Sequence, residues 1–299
     1  METEVVIIGG SFAGLAAAMQ LVRGQRSVVV IDANSPRNRF AKTSHGVFCL
    51  DGKTPSEIRS TALSQLSIYP TFELVENTAT KVIQTESGFA VTLANGSKYN
   101  AKKLIIATGM TDELPDIPGV KERWGKSVIH CPYCHGYELR NRELGVLATT
   151  EISFHQAAMI PDWGVTTLFT QGIFKPEGEV LEHLISRGVT IEDTPITHVV
   201  GDNEQVEYVT LADGREIPIK GLYVVPKLII TSPLIDMLNL ETIDAPLGKV
   251  VKVNDFKESS IKGVFVAGDL SNPMQGATFA IASGTMAGGA AHKALIFNE

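Results

Sequence analysis

The chain has 299 residues, 44% of them hydrophobic, enough for two core-forming units of ordinary size. Its 26 basic and 33 acidic side chains give a formal charge of -7 without long runs, which excludes a nucleic-acid footprint or a basic membrane patch and directs attention to small molecules and protein partners. Three cysteines, Cys49, Cys131 and Cys134, are too few for a disulfide scaffold and fit a reducing compartment. Glu2 and Glu4 precede the first apolar run, glycines interrupt it, and no uninterrupted apolar stretch reaches about 18 residues, so a soluble, cytoplasmic protein is expected.

The opening EVVIIGGSFAGLAAAMQLVRGQRSVVVIDAN predicts strand, glycine turn, helix and second strand, one βαβ unit. Phe89–Leu93 and Lys98–Tyr99 flank a hairpin signal, ANG, and KLIIATG (103–109) predicts a further buried strand. TDELPDIPGVKERWG, with its prolines and glycines, is expected to be a linker. From Glu143 a second unit begins, and LGVLATTEISFHQAAMI can be laid over VVIIGGSFAGLAAAMQL with Ala148 opposite Gly9. A hairpin is expected across Asp213-Gly214, followed by a strand returning to the first domain. The chain closes with GVFVAGDL and a helix of small residues.

Two stretches carry nucleotide-binding character. Gly9-Gly10-Ser11-Phe12-Ala13-Gly14 turns a strand into a helix whose free N–H groups can hold a pyrophosphate. Asp32 closes the second strand about 20 residues on, where a ribose hydroxyl is bound in such folds. Ser11 stands where a middle glycine normally lets the phosphate approach, so this turn alone is a weak signal. Gly268-Asp269, feeding a helix start at Gly276-Ala277, makes a second anchoring point: the aspartate can accept from a ribityl hydroxyl, and helix N–H groups favour negative charge on a reduced flavin ring.

The stretch HCPYCHGYE (130–138) admits three chemistries, half a zinc site, a C-x-x-C-H haem attachment point and a redox dithiol. Zinc wants four ligands and there is no second C-x-x-C; His130 and His135 lie too close in sequence to complete a tetrahedron easily.

IIGGSFAG, Asp32, ATG at Ala107–Gly109, CPYC, GVFVAGD and QGA at Gln275–Ala277 occur in an order and spacing that resemble the low-molecular-weight thioredoxin reductase group of flavoproteins over essentially the whole chain. The resemblance implies an α/β fold of two Rossmann-like (βαβ, three-layer) nucleotide-binding domains, the second inserted in the first. It implies a split FAD-binding domain at 1–113 and 229–299, an insert at 114–228, and a homodimer. FAD would be bound by Gly9, Ser11, Phe12, Ala13, Gly14, Asp32, Ala107, Gly109, Gly268, Asp269, Gln275, Gly276 and Ala277. With the two flavin motifs present, the dithiol reading leads: Pro132 suits the first turn of a helix whose positive end lowers a thiol pKa. By the same resemblance Cys134 is the sulfur next to the flavin and Cys131 exchanges with substrate. His135 replaces the acidic residue usual in the family and can manage the thiol proton. Cys49 is expected to be a packed core cysteine.

The insert departs from the family. Its glycine or alanine positions are Ala148, Thr150 and Ser153, Glu151 sits at the helix start where it repels a pyrophosphate, and Thr170 and Gln171 stand where basic residues would be expected, with only Lys175 nearby. Losing two charge-assisted hydrogen bonds, worth roughly 1.5 to 3 kcal/mol each, would weaken NADPH by about two to four powers of ten. The expectation is therefore an FAD-dependent thiol–disulfide oxidoreductase without NADPH as usual donor. The CPYCHGYE spelling is similar to a branch containing dithiol oxidases that pass electrons to oxygen. The alternatives are a disulfide or thioredoxin reductase fed by ferredoxin or by a second flavin in the former NADPH pocket, near His155 and Trp163, and a non-enzymatic flavin redox sensor. Partners would be a small dithiol or disulfide, or a thioredoxin-like protein.

Overall fold

The structure is a computed structural model that describes residues 1–202 and 204–297. In chain order the first stretch holds β1 (Glu2–Ile8), α1 (Phe12–Arg23), β2 (Val28–Asp32), α2 (Pro55–Leu66), β3 (Phe72–Glu76), β4 (Ala79–Thr85), β5 (Gly88–Leu93), β6 (Lys98–Ile106) and β7 (Thr111–Glu113). The middle holds β8 (Val128–Ile129), α3 (Pro132–His135), β9 (Glu143–Leu147), α4 (Ile152–Met159), β10 (Val165–Phe169), α5 (Gly178–Ser186), β11 (Thr190–Glu192), β12 (Ile196–Gly201), β13 (Val206–Leu211), β14 (Glu216–Pro218) and β15 (Gly221–Val224). The last stretch holds β16 (Lys227–Ile229), α6 (Leu234–Met237), β17 (Thr242–Ala245), β18 (Gly248–Val251), β19 (Val264–Val266) and α7 (Ala277–Phe297). By their contacts the residues fall into two compact units: Met1–Arg39, Pro55–Thr111 and Leu228–Glu299 in one, Phe40–Thr54 and Asp112–Lys227 in the other. The sequence reading put residues 40–54 in the first domain; they belong to the second unit.

The first unit is built on a sheet of order β3-β2-β1-β6-β5-β4, with β19 also paired to β6. Strands β1, β2, β3, β6 and β19 run parallel, and β4–β5–β6 form an antiparallel extension. Residues alternate between two cores: Val5, Ile7, Val28 and Val30 pack with α1 and α7, while Val6, Ile8, Val29 and Ile31 pack with Leu228, Leu234 and Ile235. A sheet covered on both faces explains why these strands are unbroken apolar runs. Residues 98–106, expected as two short strands, form one: its first half pairs with β5 and its second with β1 and β19.

The second unit repeats the plan with a parallel sheet of order β11-β10-β9-β15-β8. Ile129, Val146, Leu168 and Tyr223 pack beside Ala157 of α4 and Leu184 of α5, while Val128, Leu147, Phe169 and Leu222 pack beside Val199 and Val209 of the antiparallel β12-β13-β14 sheet. The hairpin across Asp213-Gly214 joins β13 to β14. The expected linker is not an open connection: Val120 and Trp124 are buried, and the buried Arg123 guanidinium donates to the carbonyls of Gly119, Val199 and Gly201. No described helix is long and apolar enough to cross a membrane.

Candidate functional site

Two chemical settings are built, one in each unit. In the first, the glycine turn closes between β1 and α1. Gly9 has a φ of 106°, and a Cβ there would lie 2.2 Å from the Ala107 carbonyl oxygen. A Cβ on Gly14 would lie 1.7 Å from the Gly9 oxygen, so neither position accepts a side chain. Ser11 is the N-cap of α1, but its hydroxyl makes no capping bond, and the first-turn N–H groups are left for another acceptor. Ala107, whose N–H donates to the Ile8 carbonyl at 2.7 Å, continues the end of β6 beside the turn, and Gly109 has a φ of 68°.

The end of β19 comes to the same rim. Gly268 has a φ of 76° and donates its N–H to the Ser283 hydroxyl of α7 at 2.8 Å, and a Cβ on it would lie 3.1 Å from the Ala13 Cβ. Asp32 accepts from the Gly10 N–H at 3.0 Å and from Arg59 Nη2 at 2.7 Å. Asp269 pairs with Arg37 Nη1 at 3.0 Å, and the same arginine donates to the Gln275 side chain, just before Gly276 and the start of α7. All thirteen residues expected to hold a dinucleotide therefore lie in this unit, at the carboxyl ends of its parallel strands or at the helix starts that follow. The two arginines were not found from sequence. Arg59 is 27 residues from Asp32 and Arg37 is 232 from Asp269, and no local pattern marks either pair. A turn kept free of Cβ atoms at Gly9 and Gly14, helix N–H donors and carboxylates at the strand ends suit an extended phosphate-bearing ligand such as FAD.

In the second unit Cys131 and Cys134 form a disulfide with a Cα–Cα distance of 5.3 Å. Cys131 is the N-cap of the short helix α3, its Sγ accepting from the Cys134 N–H at 3.2 Å, with Pro132 at the first helical position as expected. His135 ends that helix. Burial pushes its imidazole below the usual histidine value, against a smaller opposing pull from Glu138 and a hydrogen bond to the Cys131 backbone. Its Nδ1 is buried and makes no hydrogen bond. Burial thus favours the neutral, proton-accepting ring.

Three neighbours shape this site. Trp163 stands edge-on to Tyr133 with ring centroids 5.8 Å apart, and a Cβ on Gly136 would lie 2.8 Å from its indole nitrogen. Trp163 therefore packs on the dithiol helix, while His155 is exposed. Gln156 of α4 donates to the His130 carbonyl at 2.6 Å, and the His130 ring stacks on Trp124. Cys49 is exposed with a φ of 65°, so the expectation of a packed core cysteine is wrong: it sits in a tight turn of the 40–54 segment, not in a strand.

The turn between β9 and α4 is closed on itself. The Thr149 N–H donates to the fully buried Ser153 hydroxyl at 3.2 Å, and the Thr149 hydroxyl donates to the Val225 carbonyl at 2.7 Å. Glu151 is the N-cap of α4. Beyond β10, Thr170 donates to Asp193 at 2.6 Å, and Lys175 is 3.5 Å from the same carboxylate. Lys175 thus already faces an anion.

A sequence model of the pyridine nucleotide-disulphide oxidoreductases matches residues 3–160, and the chain belongs to that family, within its thioredoxin reductase-like group. It is 33% identical to thioredoxin reductase tcpT of Claviceps purpurea over 95% of this chain and 92% of that one. It is 30% identical to thioredoxin reductase sirT of Leptosphaeria maculans over 95% and 92% of the two chains. Among solved structures it is similar to an oxidoreductase from Agrobacterium tumefaciens, with a TM-score of 0.95 and 43% identity over 100% of both chains. Membership makes the protein a flavin disulfide oxidoreductase of two Rossmann-type domains and implies FAD.

Proposed function

We propose that this protein moves electrons between a substrate dithiol or disulfide and the Cys131–Cys134 pair, with FAD held along the crevice of the first unit and without NADPH as its usual donor. The observation that carries the reading is the closed Cys131–Cys134 disulfide followed directly by a half-buried His135, whose burial disfavours the charged ring. A substrate thiolate attacks Cys131 Sγ, the Cys131–Cys134 bond breaks, and Cys134 leaves as a thiolate while His135 takes the proton of the incoming thiol. The second substrate thiolate then attacks the first substrate sulfur of the mixed disulfide, which forms the substrate disulfide and releases Cys131 as a thiolate. Bound FAD supplies the two-electron chemistry that re-forms the protein disulfide.

The residues that would hold the cofactor are Gly9, Ser11, Phe12, Ala13 and Gly14 around the pyrophosphate, Asp32 toward a ribose, and Ala107 and Gly109 beside them. Gly268, Asp269, Gln275, Gly276 and Ala277 would serve the flavin end. Independence from NADPH is supported by the self-closed Thr149–Ser153 turn, by Glu151 at the start of α4 and by the Lys175–Asp193 pairing. Relatives named thioredoxin reductase favour a second reading, in which the same exchange runs toward reduction of a thioredoxin-like protein with ferredoxin or a second flavin as the electron source. A cytoplasmic homodimer completes the proposal.

The test is anaerobic. A small dithiol should bleach the oxidised-flavin absorbance of the purified protein quickly, NADPH should not, and Cys134→Ser should keep its FAD and lose the reaction. Bleaching by NADPH at a catalytic rate would overturn the donor assignment. Readmitting oxygen then separates an oxidase, which recovers its colour with turnover, from a reductase, which recovers it slowly.

A further inference from the structure

Next to the dithiol lies a set of ionisable side chains to which the exchange above gives no role. Glu138, three residues after His135, is at the centre. Its Oε1 is 3.7 Å from His45 Nε2, and its charge acts on both His135 and Tyr223. His45 comes from the 40–54 segment, and carboxylates face both nitrogens of its ring: Glu138 on Nε2, and Asp51 on Nδ1 at 3.5 Å. The Thr43 hydroxyl is 2.9 Å from Nε2. His45 is also close enough to act electrostatically on His135.

Burial changes stepwise across the set. The Tyr223 hydroxyl and His135 Nδ1 are buried without a hydrogen-bond partner, and Tyr223 is 0% exposed. The His45 side chain is 20% exposed, Glu138 46% and Asp51 69%. A buried hydroxyl and a buried imidazole nitrogen without hydrogen-bond partners, both within electrostatic reach of Glu138, need explanation, because each costs about 1 to 3 kcal/mol when left unsatisfied. These side chains are not spaced as a metal site among the described residues. They do form an ordered series of proton-exchanging groups from the interior to solvent.

We infer that Glu138 and His45 are a proton route between His135 and solvent, serving the thiol–disulfide exchange at Cys131–Cys134. The inference rests on the dithiol reading above. Oxidising a substrate dithiol releases two electrons and two protons; the electrons leave through the cysteine pair to FAD, whose reduction would take up one proton, and the other is the one taken by His135. The proton taken by His135 passes to the Glu138 carboxylate. His45 then accepts it at Nε2 while the proton on Nδ1 leaves toward Asp51 and water, so the ring ends neutral with its tautomer exchanged. Rotation of the ring, or the reverse transfer when a proton is needed, resets it. Glu138 and His45 act through His135 and are positioning and relay residues.

The experiment uses the full-length, FAD-loaded protein and dithiothreitol as the probe. The anaerobic rate of flavin bleaching is followed from mildly acidic to alkaline pH for the wild type, Glu138→Gln and His45→Gln, with Glu138→Asp and His45→Asn as conservative second variants. The relay variants should keep their FAD and their disulfide, slow bleaching by about tenfold near neutral pH, and approach the wild-type rate at alkaline pH, where solvent base replaces the route. Added imidazole should restore much of the lost rate in His45→Gln. A pH profile that superimposes on the wild type in both Gln variants, or a rate loss that neither alkaline pH nor imidazole recovers in either pair, would overturn the relay. Failure of the underlying reading is distinct: Cys134→Ser would then bleach at the wild-type rate.

Discussion

At the scale of single residues, chemistry-bearing side chains were legible where their spacing is local and hidden where it is not. Gly9, Gly14, Cys131, Cys134 and His135 could be read because a turn, a C-x-x-C pair or a residue following it is a short-range pattern. Arg37 and Arg59 could not, since each reaches a carboxylate through the fold. The Arg59–Asp32 pair has side chains only 18% and 12% exposed. Arg59→Met would leave a half-satisfied buried carboxylate, still holding the Gly10 N–H, and should destabilise the protein by about 1 to 3 kcal/mol with weaker FAD retention; chemical denaturation and flavin release report both effects. In the second unit, hydrogen bonds from Arg215 lower the Glu192 carboxyl to about 2. A carboxylate with a lowered folded-state pKa stabilises above its unfolded value, and the effect is lost as pH falls toward the folded one. Arg215→Met should therefore melt below the wild type at neutral pH, and the difference should vanish as pH falls from about 4.5 to about 2. A melting difference independent of pH would show that Arg215 acts by packing alone.

At the scale of elements, the βαβ units were readable because strands buried on both faces are continuous apolar runs between glycine signals. Residues 111–125 were misread for a physical reason: prolines and glycines report where the chain turns and say nothing of whether it is covered. Val120 and Trp124 are buried there, and Arg123 satisfies the Val199 and Gly201 carbonyls far along the chain. The small-residue character of α7 does have a visible cause. A Cβ on Gly284 would lie 2.0 Å from the Ala13 carbonyl oxygen and one on Gly288 2.5 Å from that of Ala17, so α7 approaches α1 backbone to backbone. Gly284→Ala forces the two helices apart and should cost about 1 to 3 kcal/mol. Because Ala13 belongs to the Gly9–Gly14 turn, the variant should also release FAD more readily, which equilibrium dialysis of the coloured protein would detect. Gly289→Ala, on the same helix with nothing near its Cβ, should do neither.

At the scale of the whole molecule, the family and the two-unit α/β plan were legible, while the reassignment of residues 40–54 was not. That segment carries no strong strand or helix pattern, and it packs through side chains such as His45 beside Glu138 and Lys42 beside Glu204, which only the folded chain brings together. The first unit is also discontinuous in a way that matters before the protein is finished. Its central strand β6 is completed on one side by β19, and α1 is covered by α7, both from the end of the chain. During synthesis, then, the amino-terminal third emerges first and waits longest. Strands β9, β10 and β15 have all left the ribosome once Ile229 is outside, whereas β6 still lacks its neighbour. A nascent chain stalled at that point should resist protease across the second unit and be cut within residues 1–39. Equal cleavage of both would mean that the units close together. The exposed β-branched edge of an unfinished β6 is a standing invitation to aggregate or to be held by a chaperone, so a flavin protein of this layout completes its cofactor site only once β19 and α7 have followed the second unit out.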